Sequence, residues 1–185
     1  MRKWLTLLWL LLGVGVVIYH FNGGRDQVQR ERAYVEYRNI VELERGDKPD
    51  WKQIVELYDK LAVSLPAGED LRVRREVRLA KCRAMLEALQ IRSAVDQLQV
   101  LLDETSDAYG ELDSLTQAVR ATMGRAQFMA GWVLQQIGAP DQKYQRHYDR
   151  SRQIFRYLAE HDDEAAYKRY QRRIGRSIDE VENAD

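Results

Sequence analysis

Apolar residues recur along most of this chain at the spacing of an α-helix, and this periodicity constrains the fold more than any other feature. In the clearest stretch, the apolar positions after Trp51 fall at offsets of 3, 4, 7, 10, 11 and 14, which places them on one helix face. No segment shows the sustained alternation of a β-strand, and only three prolines and eleven glycines are available for turns. The sequence therefore predicts an all-α protein, with Trp51, Leu61 and Leu98 in its core.

The spacing predicts seven helices beyond residue 25, separated by glycine, proline or polar turns. Asp50 precedes the second helix and is placed to cap it. The fourth helix is expected to end at Thr105, where Thr-Ser-Asp breaks the apolar pattern, and the fifth could bend at Gly124. The first and third helices are predicted at residues 26–44 and 70–89, and the apolar positions of the other five span residues 51–65, 91–102, 112–137, 144–158 and 166–181.

The first 24 residues form a segment of a different kind. From Trp4 to Gly24 no residue carries a formal charge, and the apolar part ends at Phe21. At about 1.5 Å rise per residue this part would be roughly 27 Å long, close to the thickness of a membrane's hydrocarbon core. Bulky residues follow it where a signal peptidase would need small ones, which favours an uncleaved signal anchor over a cleaved signal peptide. A buried globular helix is disfavoured because the segment has no polar stripe.

The positive charges on the two sides of this segment do not fix its orientation, because their numbers are nearly balanced. A short basic tail before the first apolar run is typical of signal anchors, which leave that tail in the cytoplasm. We therefore predict a single-pass transmembrane helix within residues 1–24, in contact with the membrane through residues 4–21. Residues 25–185 are predicted to form a soluble helical domain on the exported side, periplasmic or extracellular.

Three stretches resemble tetratricopeptide repeats, a family of helical hairpins. Residues 51–66 resemble the second helix of a repeat, whereas residues 79–104 and 126–160 resemble complete hairpins. The matching residues in the first stretch are Ile54, Tyr58, Leu61 and Pro66. The small residues of the two hairpins are Ala80 or Ala84 with Ala94, and Gly131 with Ser151. The resemblance implies an α-solenoid of antiparallel hairpins with a concave groove for a peptide or partner helix; a helical bundle is the alternative architecture.

Residues that carry chemistry are few and scattered. The three histidines belong to no His-x-x-x-His, Glu-x-x-His or His-Glu-x-x-His pattern, and no glycine-rich loop is placed to hold phosphate. Cys82 is the only cysteine, and we interpret it as a small buried hydrophobe on an alanine-rich helix. The sequence thus predicts no catalytic residue, no cofactor and no metal site.

Charge is segregated along the chain although the net charge is zero. Residues 93–119 contain six acidic and no basic residues, whereas residues 142–176 contain ten basic and five acidic residues. Ordinary solvated helix faces would explain this segregation, but tyrosines lie among the arginines, a composition that is enriched in protein interfaces. The zero net charge argues against nucleic-acid binding. The predicted docking residues for a protein partner, of acidic character, are Tyr144, Arg146, Tyr148, Arg150, Arg169 and Arg173.

These features favour a membrane-anchored, non-catalytic helical-repeat scaffold or adaptor that mediates protein–protein interaction at the membrane. The alternative is a helical domain of an enzyme, or of an enzyme-accessory subunit, whose site residues follow no recognisable motif.

Overall fold

A computed structural model describes residues 27–66 and 69–161 of the chain, and the regular structure in these ranges is α-helical without a strand. The predicted all-α class is confirmed for this part. The predicted anchor at residues 1–24 and the predicted seventh helix at 166–181 lie outside the described residues. The helices are α1 (residues 27–44), α2 (Trp51–Ser64), α3 (Leu71–Glu87), α4 (Ile91–Tyr109), α5 (Ser114–Gln136) and α6 (Asp141–Glu160).

Aspartate side chains cap the N-termini of three of these helices. The Asp50 carboxylate accepts hydrogen bonds from the backbone amides of Lys52 and Gln53 at 3.1 and 3.2 Å. Asp70 and Asp113 each accept one from the amide two residues further on, at 2.9 and 2.8 Å. A carboxylate at this position satisfies amides that the helix leaves without a partner and faces the positive end of its dipole. The predicted cap at Asp50 is confirmed.

Helix α4 continues through its predicted break. The Thr105 hydroxyl is buried, and it lies 2.9 Å from the carbonyl oxygen of Leu101 and 3.1 Å from that of Leu102. Because the hydroxyl bonds back to its own helix, Thr105 fits the helix interior without another polar partner. The predicted end at Thr105 is therefore wrong, and α4 ends at Tyr109, before Gly110 with its positive φ of 86°.

The chain divides into two compact units with a boundary between residues 90 and 91. In the first unit α2 lies between α1 and α3. The Tyr58 hydroxyl of α2 donates to Glu44 of α1 at 2.9 Å, and Lys81 of α3 pairs with Asp59 of α2 at 2.6 Å. The buried residues of α2 are Ile54, Val55, Tyr58 and Leu61.

Most of the predicted core positions are confirmed. Leu61 is 2 % exposed and Leu98 is fully buried. Trp51, however, is only partly buried, because it is the first residue of α2 and lies at the end of the helix rather than along its packed face. Its prediction as a core residue is wrong.

In the second unit α5 lies between α4 and α6 and runs without interruption through Gly124. The Ser151 hydroxyl of α6 donates to the Gly124 carbonyl at 2.9 Å. At Gly131, an added Cβ would lie 3.0 Å from the ring of Tyr148. Gly124 lies against Phe155, whereas Gly131, later in α5, lies against Tyr148, earlier in α6. The two helices are therefore antiparallel. Helices α5 and α6 form an antiparallel hairpin with small residues where they touch, and the resemblance of residues 126–160 to a tetratricopeptide hairpin stays a prediction.

Candidate functional site

A groove of about 450 Å³ crosses the second unit. Helix α5 forms its floor, and α4 and α6 form its two walls. Met123 of α5, Leu102 of α4 and Ile154 of α6 supply apolar lining. The polar lining residues are Gln99, Arg120, Gln127, Arg150, Gln153 and Tyr157. Because three helices contribute side chains, the groove offers both apolar contact and hydrogen-bonding groups to an occupant.

Arg120 fixes one end of this groove. Its side chain is only 12 % exposed, its guanidinium pairs with Glu111 in the α4–α5 loop, and it lies 4.3 Å above the ring centre of Tyr157 on α6. The hydrogen bond from Arg120 lowers the pKa of the Glu111 carboxyl. The Tyr157 ring in turn stacks on His161, with 4.1 Å between ring centres. Arg120 therefore joins the loop, α5 and α6, and its charge is already partnered.

Gln127 and His147 form a second polar link between α5 and α6. Gln127 is 5 % exposed, and its Oε1 lies 2.7 Å from Nδ1 of His147. With Oε1 as acceptor, the hydrogen of a neutral imidazole lies on Nδ1. Burial lowers the pKa of His147, and the neighbouring charge of Arg150 lowers it further. The imidazole is therefore neutral at pH 7 and acts as a fixed hydrogen-bonding partner for Gln127.

The structure places the predicted arginines Arg146 and Arg150 on α6, where both are exposed. Arg150 lines the groove, and neither arginine forms an ion pair with an acidic side chain in residues 27–66 or 69–161. Arg169 and Arg173 lie outside the described residues.

The predicted tyrosines have roles within the second unit. The Tyr148 hydroxyl donates to Gln135 of α5 at 2.8 Å, and the Tyr144 hydroxyl donates to Asp141 at 2.8 Å. Both rings are partly buried, and their centres are 6.1 Å apart. Tyr148 holds α6 against α5, and Tyr144 packs beside it, so the contact area that the two rings leave for a partner is limited.

The acidic and basic segments lie on different walls of the same unit. Helix α4 carries four of the six acidic residues of the negative segment, and α6 carries the described basic residues of the positive one. Of the remaining two acidic residues, Glu111 holds Arg120 and Asp113 caps α5. Sequence reasoning missed this arrangement, because it depends on α4 and α6 flanking one helix.

The first unit contains a more apolar groove, of about 370 Å³. It lies between α1 and α3 over α2, and an ion pair between Arg30 and Glu69 at 3.2 Å stands at its edge. Its apolar lining comes from Ala33, Tyr34, Tyr37, Leu61, Leu65, Val73 and Val77. Apolar periodicity counts Tyr34 among the apolar residues of the first helix and does not show that its side chain lines a groove. In the structure Tyr34 is 61 % exposed.

Cys82 is 1 % exposed, and burial raises its pKa to about 11. The thiol is therefore protonated at neutral pH, and its interpretation as a small buried hydrophobe is confirmed. Within the described ranges, no group of three or more His, Cys, Asp or Glu side chains could hold a metal ion. The same part of the chain contains no helix with the length and apolar character needed to cross a membrane.

No protein-family model, no curated protein and no solved structure matches this chain. In the part of the chain that the structure describes, its own features define an all-α protein of two units, each with a groove lined by three helices.

Proposed function

We propose that this chain is a membrane-anchored, non-catalytic scaffold of tetratricopeptide-like hairpins, which binds a protein partner at the membrane. The observation that carries the proposal is the groove of the second unit, which crosses three helices and has on one wall Arg150, an arginine that pairs with no acidic side chain in the described part of the chain. In this proposal residues 4–21 hold the chain in the membrane, and the helical units lie on the exported side.

An acidic partner fits this groove better than a neutral one. Arg146 and Arg150 form no ion pair with an acidic side chain in the described residues. A carboxylate of the partner could therefore pair with either arginine without breaking an ion pair in that part of the chain. Exposed ion pairs contribute little affinity individually, but complementary charge raises the rate of encounter and selects the partner. The half-buried apolar side chains Leu102 and Ile154 on the two walls would supply the contact that holds an occupant in place, since Met123 is only 3 % exposed.

The experiment is capture of partners from native membranes by the full chain, compared between two matched pairs of variants. Arg146→Ser with Arg150→Ser removes the two charges that have no acidic partner among the described residues, and adding Arg169→Ser and Arg173→Ser extends the test to the remaining predicted residues. The control, Arg152→Ser with Arg156→Ser, removes the same charge from the same helix, but from residues paired with Asp149 and Glu160.

Capture should weaken in the first pair and in the fourfold variant, and remain near the parent level in the control, while helicity and melting temperature stay unchanged. Capture by the parent should also fall as salt rises, because salt screens the attraction. Undiminished capture by the fourfold variant would show that the basic wall is only a solvated surface.

A further inference from the structure

An aromatic strip lies on the second unit outside its groove. Phe128 and Trp132 on α5 and Phe155 on α6 are 53 %, 49 % and 46 % exposed. The ring centre of Phe128 is 5.5 Å from that of Tyr148, and the Phe155 ring comes within 3.1 Å of the place a Cβ would occupy on Gly124. The strip is therefore held in place by the α5–α6 contact, and it leaves about half of three large rings in water.

The strip and the groove lie on different faces of α5. At about 100° per residue, Trp132 lies roughly 140° around the helix from Gln127, which lines the groove. A single occupant of the groove therefore leaves the strip uncovered. Contiguous exposed apolar surface of this kind marks an interaction site.

We propose that residues 162–185 of the same chain cover the strip as an amphipathic helix.

The position and length of the segment fit the strip. It follows α6, which ends at Glu160, and the helix predicted at residues 166–181 would be about 24 Å long. A chain that turns back after α6 runs antiparallel to α6 and parallel to α5. Its beginning would then lie near Phe155 and its later turns near Trp132.

The residue pattern of the segment fits as well. Ile174 and Ile178 are one helical turn apart, as are Phe128 and Trp132 on α5. The apolar face of the segment consists of Ala166, Tyr167, Tyr170, Ile174, Ile178 and Val181. Covering the strip would remove both apolar faces from water in a single contact.

The other side of the segment is basic: Lys168, Arg169, Arg172 and Arg176 lie away from the apolar face, and Arg173 flanks that face beside Ala166. With the apolar face on the strip, the first four of these side chains would point to solvent. This chain's own segment is favoured over a second copy because a short tether gives it a high effective concentration at the strip.

The first test uses the full chain in detergent micelles with the photo-crosslinking residue p-benzoylphenylalanine at position 132. The control carries the same residue in place of Val100, which is 52 % exposed on α4. The probe at 132 should crosslink within the chain to peptides from residues 162–185, and the control probe should not. Crosslinks from 132 to a second copy, or no crosslink to this segment, would overturn the proposal.

The second test changes the segment. Ile174→Asp with Ile178→Asp should lower the intramolecular crosslink by about tenfold, because two carboxylates would have to be buried. Arg172→Ser with Arg176→Ser should leave the crosslink unchanged, since that face points outward; an equal loss in both variants would contradict the assigned faces.

Discussion

Gly131 determines how closely α5 and α6 approach. A Cβ at this position would lie 3.0 Å from two ring carbons of Tyr148 and 3.2 Å from the carbonyl oxygen of Tyr144. Neither group is the free end of a flexible side chain, because the Tyr148 hydroxyl is bonded to Gln135. The gain in helix propensity from alanine, about 1 kcal/mol, must therefore be set against a steric overlap.

We expect the overlap to dominate, so that Gly131→Ala lowers the free energy of unfolding by about 1–3 kcal/mol, as overpacking does elsewhere. Denaturant titration of the full chain in micelles measures this change. In a Tyr148→Ala background most of the cost should disappear, because the ring is gone. A stabilising effect of Gly131→Ala in the parent would show that the two helices separate easily.

Individual residues show where sequence reasoning succeeds. Leu61 and Leu98 were predicted in the core because apolar periodicity directly reports burial on one helix face. Thr105 was misjudged because its hydroxyl bonds to its own helix, a local interaction that leaves no mark in the apolar pattern. The Gln127–His147 link was missed for a different reason, since it joins residues 20 positions apart on two helices.

Among the helices, Arg120 and Glu111 connect the α4–α5 loop to α6. Arg120→Ala removes the contact with Tyr157 and the ion pair together, and we expect a loss of about 1–3 kcal/mol of stability. Glu111→Gln removes the ion pair alone, from a carboxylate that is 54 % exposed, and should cost less than about 1 kcal/mol. Equal losses in the two variants would mean that the ring contact contributes nothing.

The same pair predicts a pH dependence. The hydrogen bond from Arg120 lowers the pKa of Glu111 below its ordinary value of 4.5 in the folded chain. The stabilisation that ionised Glu111 gives the fold is therefore fully present above pH 4.5. It is lost as the pH falls through the lower pKa that Glu111 has in the folded chain. Below pH 4.5 the melting temperature of the parent should fall more steeply with decreasing pH than the melting temperature of Glu111→Gln.

The positions of the individual helices were predicted from the sequence, whereas the grooves that the helices form together were not. Helices α5 and α6 were predicted from apolar periodicity, and the small residues that the repeat resemblance singled out at positions 131 and 151 lie where these helices touch. The groove required knowledge that α4 and α6 flank α5, and spacing along one helix carries no information about its neighbours. For this reason Arg150 was predicted as a docking residue while the groove that it lines was not.

For the whole molecule, the decisive prediction concerns the N-terminal segment. The full chain should stay with membranes after high-salt and alkaline washes and retain Met1 or Arg2 at its N-terminus. Leu8→Arg with Leu11→Arg should release it, because each arginine costs about 2.5–3.5 kcal/mol at the centre of a membrane helix. A mature N-terminus beyond residue 20, or release of the parent by the washes, would contradict the anchor.

Arg74 has a consequence for how the first unit opens. From α3, its guanidinium donates hydrogen bonds to the carbonyl oxygens of Leu65 and Pro66, just after α2 ends. The carbonyl of Leu65, the C-terminal cap of α2, is a group that a helix cannot satisfy by itself, so it depends on a side chain of the next helix. Fraying of α2 must break this bond, and release of α3 leaves the Leu65 carbonyl without the Arg74 donor. In amide hydrogen exchange the two helix ends would therefore behave as one cooperative opening rather than as two independent ones.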